Sequence, residues 1–212
     1  LETEIAAYTG AKQAIAVNSG TDALILLLRA LGIGPGDEVI VPCYSFFASV
    51  SSIIHVGATP VFVDIETEGY CLDPTSVSRV ITSRTKAIMP VHLFMQMAAM
   101  DEIKRLASDH RLSIVEDSAE AIGMRWNDAH AGLLGRGGVL SFFPTKTLGA
   151  LGDAGMILTN DDALADELRY TRHHGRVGQT LGHMPRISNE AVFCGTNSKM
   201  DDIQAAVLLA RL

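Results

Sequence analysis

The chain has 212 residues, of which 48% are hydrophobic, and a formal net charge of −7 with an isoelectric point near 5.4. This length suffices for one good-sized hydrophobic core, so we expect a single globular domain, and the acidic balance argues against a nucleic-acid partner. The three cysteines lie far apart, without zinc-finger spacing and in an odd number, so we expect no metal site and a reducing, cytoplasmic setting.

Short apolar runs alternate with helical patterns along the chain. In chain order, the patterns predict a helix at 1–8, a strand at 13–18, a helix at 21–31, a strand at 38–43, a helix at 46–56, a strand at 59–65, a helix at 74–81, a strand at 85–93, a helix at 100–110, strands at 112–118, 137–143 and 155–160, and helices at 162–173 and 201–212. The strands are continuous apolar runs, which is typical of a parallel sheet covered by helices on both faces. The sequence therefore predicts an α/β fold with ligands beyond the carboxyl ends of the strands.

Three further features concern the organisation of the chain. Residues 173–197 are rich in Gly, His and Asn with little periodicity, which predicts a long surface loop. The longest apolar run, 23–33, contains Arg29 and is too short to span a bilayer, so we expect no membrane partner. Both ends of the chain lie within helical patterns, so we expect a piece of a longer polypeptide.

The first candidate site is the stretch VNSGTDAL at residues 17–24, where a strand ends and a helix begins. Free backbone N–H groups at a helix N-terminus bind anions. Gly20 permits close approach, and Thr21 adds a hydroxyl. An ordinary helix N-cap is the alternative interpretation, and the turn has neither the glycine fingerprint of dinucleotide folds nor that of the P-loop.

The second candidate site is IVEDSAEAIG at residues 114–123, where Glu116 and Asp117 end a buried apolar strand. A lone buried carboxylate is costly, so an acid at this position needs a partner. A cationic ring nitrogen of a cofactor is one candidate partner. Alternatively, the carboxylate caps a neighbouring helix or pairs with an arginine.

The third candidate site is SFFPTKTLGALGDAG at residues 141–155, in which Lys146 lies among small and apolar residues. Desolvation disfavours the charged form of a lysine, and a neutral amine can attack a carbonyl to form a Schiff base. A surface lysine in a turn is the alternative. Together, an anion site, a carboxylate and an amine match the phosphate, the pyridine nitrogen and the aldehyde of pyridoxal phosphate.

The chain resembles the DegT/DnrJ/EryC1/StrS aminotransferases, which are pyridoxal phosphate enzymes that mostly act on nucleotide-linked keto sugars. Seven motifs carry the resemblance in order: NSGTDAL, DEVIVPCYSFFASV, GATPVFVDI, VHLFMQMA, VEDSAEAIG, SFFPTKTLGALGDAG and GTNSKMDDIQAAVL. They extend over essentially the whole chain. The resemblance implies that residues 1–212 form most of the large cofactor-binding domain of a fold-type I transferase, without the smaller C-terminal domain.

The resemblance also implies roles for residues around the cofactor ring. Lys146 would carry the aldehyde as a Schiff base and shuttle protons, and Asp117 would pair with the pyridine nitrogen. Phe46 would stack on the ring, although a plain core position is the alternative. Glu120 would lie near the ring hydroxyl, at a position where the family often has Gln.

Four further residues would hold the cofactor phosphate. Gly20, Thr21 and Ser141 would contact it directly, and Asn197 would reach it from the partner subunit of a homodimer. Alternatively, the Ser141 hydroxyl bonds to the backbone, and Asn197 is a turn or N-cap residue.

The resemblance implies a reaction that moves an amino group from L-glutamate or L-glutamine to a keto sugar, in surface-polysaccharide or antibiotic sugar biosynthesis. Two rival functions stay open at this point. The first is a sugar dehydratase or lyase with the same cofactor, although the related dehydratase branch has His where this chain has Lys146. The second is a regulatory or assembly protein that keeps the fold without catalysis.

Overall fold

The computed structural model describes residues 1–177 and 190–212. Its helices are α1 (Glu2–Thr9), α2 (Gly20–Ala30), α3 (Phe47–His55), α4 (Pro74–Val80), α5 (Met100–His110), α6 (Asp162–Thr171) and α7 (Asp202–Arg211). Its strands are β1 (Gln13–Val17), β2 (Glu38–Pro42), β3 (Thr59–Val63), β4 (Thr85–Ile88), β5 (Ser113–Asp117), β6 (Arg125–Trp126), β7 (Ala129–His130), β8 (Gly137–Ser141) and β9 (Gly155–Thr159).

Seven strands form one mostly parallel sheet in the order β1-β9-β8-β5-β4-β2-β3. The β2–β3, β2–β4, β4–β5 and β5–β8 pairs are parallel. Strand β9 runs antiparallel to both of its neighbours, β1 and β8. Strands β6 and β7 form a separate two-stranded hairpin.

Helices cover both faces of the sheet, which gives three layers and confirms the predicted α/β class. On one face, α2, α3 and α6 bury their apolar side chains against Val115 and neighbouring strand residues. On the other face, α4 and α5 pack on Ile114, and α1 and α7 pack on Leu140 and Met156. Successive residues of a strand point to opposite faces, so the adjacent residues Ile114 and Val115 enter different layers.

The predicted helices and strands are all present within the described residues, with two differences. The strand predicted over 85–93 ends at Ile88, since Pro90 has no N–H to donate to a ladder, although Val91 still bridges to Asp117. The β6–β7 hairpin was not predicted. The predicted loop at 173–197 is pinned by bridges from His173 to Asn197 and from Arg176 to Ala191, and its middle, 178–189, lies outside the described residues.

Within residues 1–177 and 190–212, no helix combines the length and the apolar character needed to cross a bilayer. The three cysteines are free thiols, of which Cys71 is buried. In the same residues, no group of three or more His, Cys, Asp and Glu side chains could hold a metal ion.

Candidate active site

A cavity of about 460 Å³ opens where several parallel strands end. Seven of the eight predicted site residues line it, namely Gly20, Thr21, Phe46, Asp117, Glu120, Ser141 and Lys146. Asn197 is not among the lining residues. The turn, the carboxylate and the amine that the sequence analysis combined into one site thus share one cavity.

The turn between β1 and α2 exposes backbone donors to this cavity. Ser19 is the N-cap of α2, and its Oγ accepts a 3.0 Å hydrogen bond from the N–H of Asp22. The N–H groups of Gly20 and Thr21 belong to the first helical turn, which has no intrahelical acceptors. A Cβ on Gly20 would lie 2.9 Å from Cβ of Ser141, so only glycine lets the end of β8 approach so closely. The result is a tight turn with backbone donors at the cavity, the arrangement that suits an anion at a helix N-terminus.

Asp117 is a buried carboxylate at the end of β5. Its Oδ2 accepts a 2.7 Å hydrogen bond from Oγ of Ser49, and its Oδ1 accepts a 3.2 Å bond from the N–H of Ala119. No Lys, Arg or His of the described residues forms an ion pair with it. Burial raises the pKa of Asp117, against the opposing effects of the hydrogen bonds from Ser49 and Ala119 and of the positive charge of Lys146. The arginine partner considered as an alternative is therefore absent among the described residues.

The neighbouring acid, Glu116, points to the opposite face of the sheet and has a full set of donors. Its Oε1 accepts from the N–H groups of Leu134 at 2.6 Å and Gly135 at 2.8 Å, and its Oε2 accepts from the N–H of Gly132 at 2.8 Å. Nε2 of His92 lies 3.2 Å from Oε2. Since Nδ1 of His92 accepts from the N–H of Ala98, Nε2 carries the proton and donates to Glu116. Glu116 therefore ties β5 to residues 132–135 and takes no part in the cavity.

Lys146 projects its amine toward Glu120. The Nζ–Oε1 distance is 2.9 Å, and 22% of the Lys146 side chain and 33% of the Glu120 side chain are exposed. Lys146 is thus neither a free surface lysine nor a fully buried one, and its amine is held at the cavity wall by a single ion pair. Its N–H donates to the carbonyl of Phe143, which closes a turn just after β8.

The remaining three predicted residues differ in their surroundings. Phe46, directly before α3, is 75% exposed, so the alternative of a core position is wrong. Ser141 lines the cavity, and its Oγ receives only a long 3.4 Å contact from the N–H of Phe143. Asn197 is exposed, bridges to His173, and accepts a 2.5 Å hydrogen bond from Nζ of Lys199. The N-cap of α7 is Asp201, so the N-cap alternative for Asn197 is wrong as well.

Two residues of the site were missed by the sequence analysis, one behind the cavity wall and one in it. Ser49 is buried and supplies the hydroxyl that holds Asp117, and it lies in the motif DEVIVPCYSFFASV, three residues after Phe46. Its Oγ is also 2.7 Å from Oγ of Ser45. His92 lies in the quoted motif VHLFMQ and lines the cavity. The signal for both was their position just after strand ends that meet at one edge of the sheet.

The same VHLFMQ segment carries backbone strain. Phe94 and Met95 have φ values of 51° and 61°, in the left-handed region where non-glycine residues are uncommon. Such strain is concentrated at functional sites. The two strained residues directly follow His92 and Leu93, which belong to the cavity wall.

The fold is that of the large domain of fold-type I transferases. The family model of the DegT/DnrJ/EryC1/StrS aminotransferases matches residues 1–212. The chain belongs to this family.

Individual relatives agree with this assignment. The chain is 47% identical to the pleiotropic regulatory protein of Geobacillus stearothermophilus over 98% of its own length and 54% of the relative's. It is 46% identical to the UDP-N-acetyl-3-dehydro-alpha-D-glucosamine 3-aminotransferase of Acidithiobacillus ferrooxidans over 99% of the chain and 54% of the relative. The chain thus spans about half the length of the curated relatives it matches.

Solved structures agree in fold over nearly the whole chain. The crystal structure of DesV from S. venezuelae, in complex with a ketimine intermediate, superposes with a TM-score of 0.91 at 45% identity, covering 99% of this chain and 54% of DesV. The structure of NtdA from Bacillus subtilis with bound cofactor PMP gives a TM-score of 0.90 at 36% identity, covering 99% of this chain and 46% of NtdA.

Proposed function

We propose that residues 1–212 form the large, cofactor-binding domain of a pyridoxal phosphate-dependent aminotransferase. The enzyme moves an amino group from L-glutamate or L-glutamine to a keto sugar that is linked to a nucleotide. The observation that carries the proposal is the buried Asp117 carboxylate, which has no cationic partner in the described residues and faces the cavity that also holds Lys146.

The residues present fit pyridoxal phosphate at each of its three recognition points. The first-turn N–H groups of Gly20 and Thr21, with the Ser141 hydroxyl, suit a phosphate. Asp117 suits a protonated ring nitrogen, because a cation beside it compensates for its burial. Lys146 lies in the same cavity and suits an aldehyde. When bound, pyridoxal phosphate supplies an electrophilic aldehyde and a ring that accepts electrons.

The protein's own groups then have defined tasks. Asp117, held by Ser49, keeps the ring nitrogen protonated, and Phe46 offers an exposed aromatic face to the ring. Nζ of Lys146 would be the group that holds the aldehyde, and as a free amine it would move a proton at the substrate carbon as a general base. Glu120, 2.9 Å from Nζ, holds the amine at the cavity wall and would lie near the ring hydroxyl.

The acceptor class rests on relatives. The Acidithiobacillus ferrooxidans relative is named for a UDP-linked amino sugar, and a transaminase of Streptomyces venezuelae that is 46% identical is named for a dTDP-linked one. A spore coat polysaccharide biosynthesis protein of Bacillus subtilis is 41% identical. These names support a nucleotide-linked keto sugar as acceptor and a role in surface-polysaccharide or antibiotic sugar biosynthesis.

We also propose that the enzyme is a homodimer in which Asn197 of one subunit contacts the cofactor phosphate of the other. Two features support this arrangement. Asn197 is exposed and lies outside the cavity of its own chain, and Phe46, Phe47 and Phe143 are 75%, 71% and 48% exposed at or beside that cavity. Large exposed apolar surfaces of this kind mark interaction sites.

The cytoplasm is the proposed location, because free thiols such as Cys43 and Cys71 persist in a reducing compartment. With a net charge of −7, neither nucleic acid nor an anionic membrane is a proposed partner.

The experiment that tests the proposal combines spectroscopy with product analysis. We expect purified protein with pyridoxal phosphate to show a visible absorption band and to be labelled at Lys146 after borohydride reduction. With L-glutamate or L-glutamine and a panel of nucleotide-linked keto sugars, mass spectrometry should detect an amine in the product. Lys146→Ala should abolish the band and lower turnover by about 10²- to 10⁴-fold, whereas Lys104→Ala, on the exposed face of α5, should leave both unchanged.

The outcomes separate the rival functions. Loss of a hydroxyl from the sugar without gain of an amine would indicate a dehydratase instead. A regulatory role, as in the name of the Geobacillus stearothermophilus relative, would be favoured by wild-type protein that takes up no cofactor and by a sugar ligand that binds without turnover.

A further inference from the structure

The lysine loop, defined here as residues 142–154, is closed by its own backbone. The N–H of Phe142 donates to the carbonyl of Ala154, and the N–H of Ala150 donates to the carbonyl of Phe142, each at 2.8 Å. A Cβ on Gly149 would lie 2.6 Å from the carbonyl oxygen of Pro144, so the two sides of the loop are in close contact. The loop is therefore a closed unit of backbone, and its anchoring points decide where Lys146 lies.

Helix α7 supplies hydrogen bonds to the outer part of this loop. Oε1 of Gln204 accepts from the N–H groups of Leu151 at 2.9 Å and Gly152 at 3.1 Å. Nη1 of Arg211 donates to the carbonyl oxygen of Gly149 at 2.5 Å. Between these two residues, Leu208 is fully buried in the cluster that also contains Phe142, Leu148 and Ala150.

These contacts lie on one face of α7, since residues 204, 208 and 211 follow the i, i+4, i+7 spacing of a helix. The opposite side of the loop offers little support. Leu151 is 72% exposed and Phe143 is 48% exposed, and the Lys146 amine has Glu120 as its ion-pair partner. The hydrogen bonds that the Gln204 side chain accepts and the Arg211 side chain donates at the loop backbone are thus the main polar restraint on the segment that follows Lys146.

We propose that Gln204 and Arg211 are positioning residues for Lys146, a role that rests on the proposed function. They act through the lysine loop, and neither lines the cavity that holds Lys146. Positioning matters here because a misplacement of about 1 Å at a reacting group can cost about 100-fold in rate. Gln204 serves as an acceptor for two backbone donors, and Arg211 as a donor to one carbonyl, so each role can be removed or kept by a chosen substitution.

The test compares Gln204→Leu with Gln204→Glu, and Arg211→Met with Arg211→Lys. The first member of each pair removes the hydrogen-bonding group, and the second keeps an acceptor or a donor. Leu209→Ala, at an exposed position of the same helix, is the control. Gly152→Ala perturbs the contact from the loop side, since its Cβ would lie 3.3 Å from Nε2 of Gln204, and it serves if an α7 variant fails to fold.

Two readouts are needed. In cofactor-free protein, competitive acetylation with trace acetic anhydride, read by mass spectrometry against Lys104, reports how well Lys146 is held. We expect Gln204→Leu and Arg211→Met to raise relative labelling of Lys146 about two- to fivefold, because its partly exposed ion pair is loosened. In the loaded enzyme, we expect kcat to fall about 10-fold or more with little change in KM, because a displaced catalytic group affects chemistry rather than binding. Gln204→Glu and Arg211→Lys should show labelling of Lys146 and a kcat close to those of the wild type.

Wild-type labelling and wild-type kcat in Gln204→Leu, Arg211→Met and Gly152→Ala would overturn the proposal, even if the melting temperature fell. The labelling experiment needs no cofactor and no substrate. It therefore still decides whether α7 positions Lys146 if the protein proves not to transfer amines.

Discussion

Oγ of Ser49 lies 2.7 Å from Oδ2 of Asp117 and joins the first turn of α3 to the end of β5. The Ser49 hydroxyl has one proton, which it donates to the carboxylate, so the contact at 2.7 Å from Ser45 Oγ is donated by Ser45. Two hydroxyls in series thus stabilise the ionised form of a carboxylate that has no ion-pair partner in the described residues. This is the form that a cationic ring nitrogen requires.

Ser49→Ala should weaken cofactor binding about 10- to 100-fold, because it removes a hydrogen bond to a charged acceptor, worth about 1.5–3 kcal/mol, in a buried position. The pKa of Asp117 should rise further, since the Ser49 bond opposes the effect of burial. Fluorescence titration with pyridoxal phosphate measures the change in affinity. Ser51→Ala, which removes only a 3.4 Å contact to the carbonyl of Ala48 in the same helix, is the matched control, and equal losses in both variants would refute the assignment.

Asp117→Asn should make the ligand-free protein more stable at neutral pH by about 1–3 kcal/mol, the scale that buried polar groups show in mutational data. Burial raises the pKa of Asp117 above the ordinary aspartate value of 3.8, so the native state binds the proton at a higher pH than the unfolded state does. In the wild type, the free-energy cost of burying the ionised Asp117 carboxylate is therefore fully present above the raised pKa. This cost falls as the pH falls toward 3.8.

Urea unfolding of ligand-free protein between pH 8 and about pH 4 measures this difference. Asp153→Asn, at an exposed position of the same cavity, should show no comparable gain. With pyridoxal phosphate present, the wild type should be more stable than Asp117→Asn, since only the wild type pairs with the ring nitrogen. An Asn variant that is less stable at every pH would show that Asp117 supports the ligand-free fold.

Glu116→Ala should destabilise the protein by about 3–5 kcal/mol, because it leaves three backbone N–H groups and the His92 ring donor buried without an acceptor. Glu116→Gln, which keeps one acceptor oxygen, should lower the free energy of unfolding by less than Glu116→Ala does. Thermal and urea unfolding check both variants, with Glu102→Ala on the exposed face of α5 as the control. A Glu116→Ala protein with wild-type stability would show that water or another group replaces the carboxylate.

Much of the fold could be predicted because apolar periodicity records burial directly. The run in β5, from Ile114 to Asp117, is apolar up to its last two residues and gave both the strand and the site at its end. Periodicity does not record strand direction, so the antiparallel insertion of β9 between β1 and β8 was not predicted. Two-residue strands such as β6 and β7 contain too few residues to show any period.

The site could be predicted to the level of which residues share a cavity, but not to the level of their partners. Lys146, Asp117 and Gly20 follow from the chemistry of a strand end, and all three line the cavity. That Lys146 contacts Glu120, and that Ser49 contacts Asp117, depends on how α3 and the lysine loop pack, which no single segment encodes. The role of Asn197 depends on a second subunit and stays a prediction.

The two acids at the end of β5 differ in task only because a strand alternates its side chains between faces. Deleting one residue upstream in this strand would move every later side chain to the other face: Asp117 would confront the three amides of 132–135, Glu116 would enter the apolar layer around Val115, and Ser118 would replace Asp117 at the cavity. Strand β5 thus cannot lose or gain a single residue without misplacing its side chains. We expect natural variation in length to be confined to the connections before and after β5.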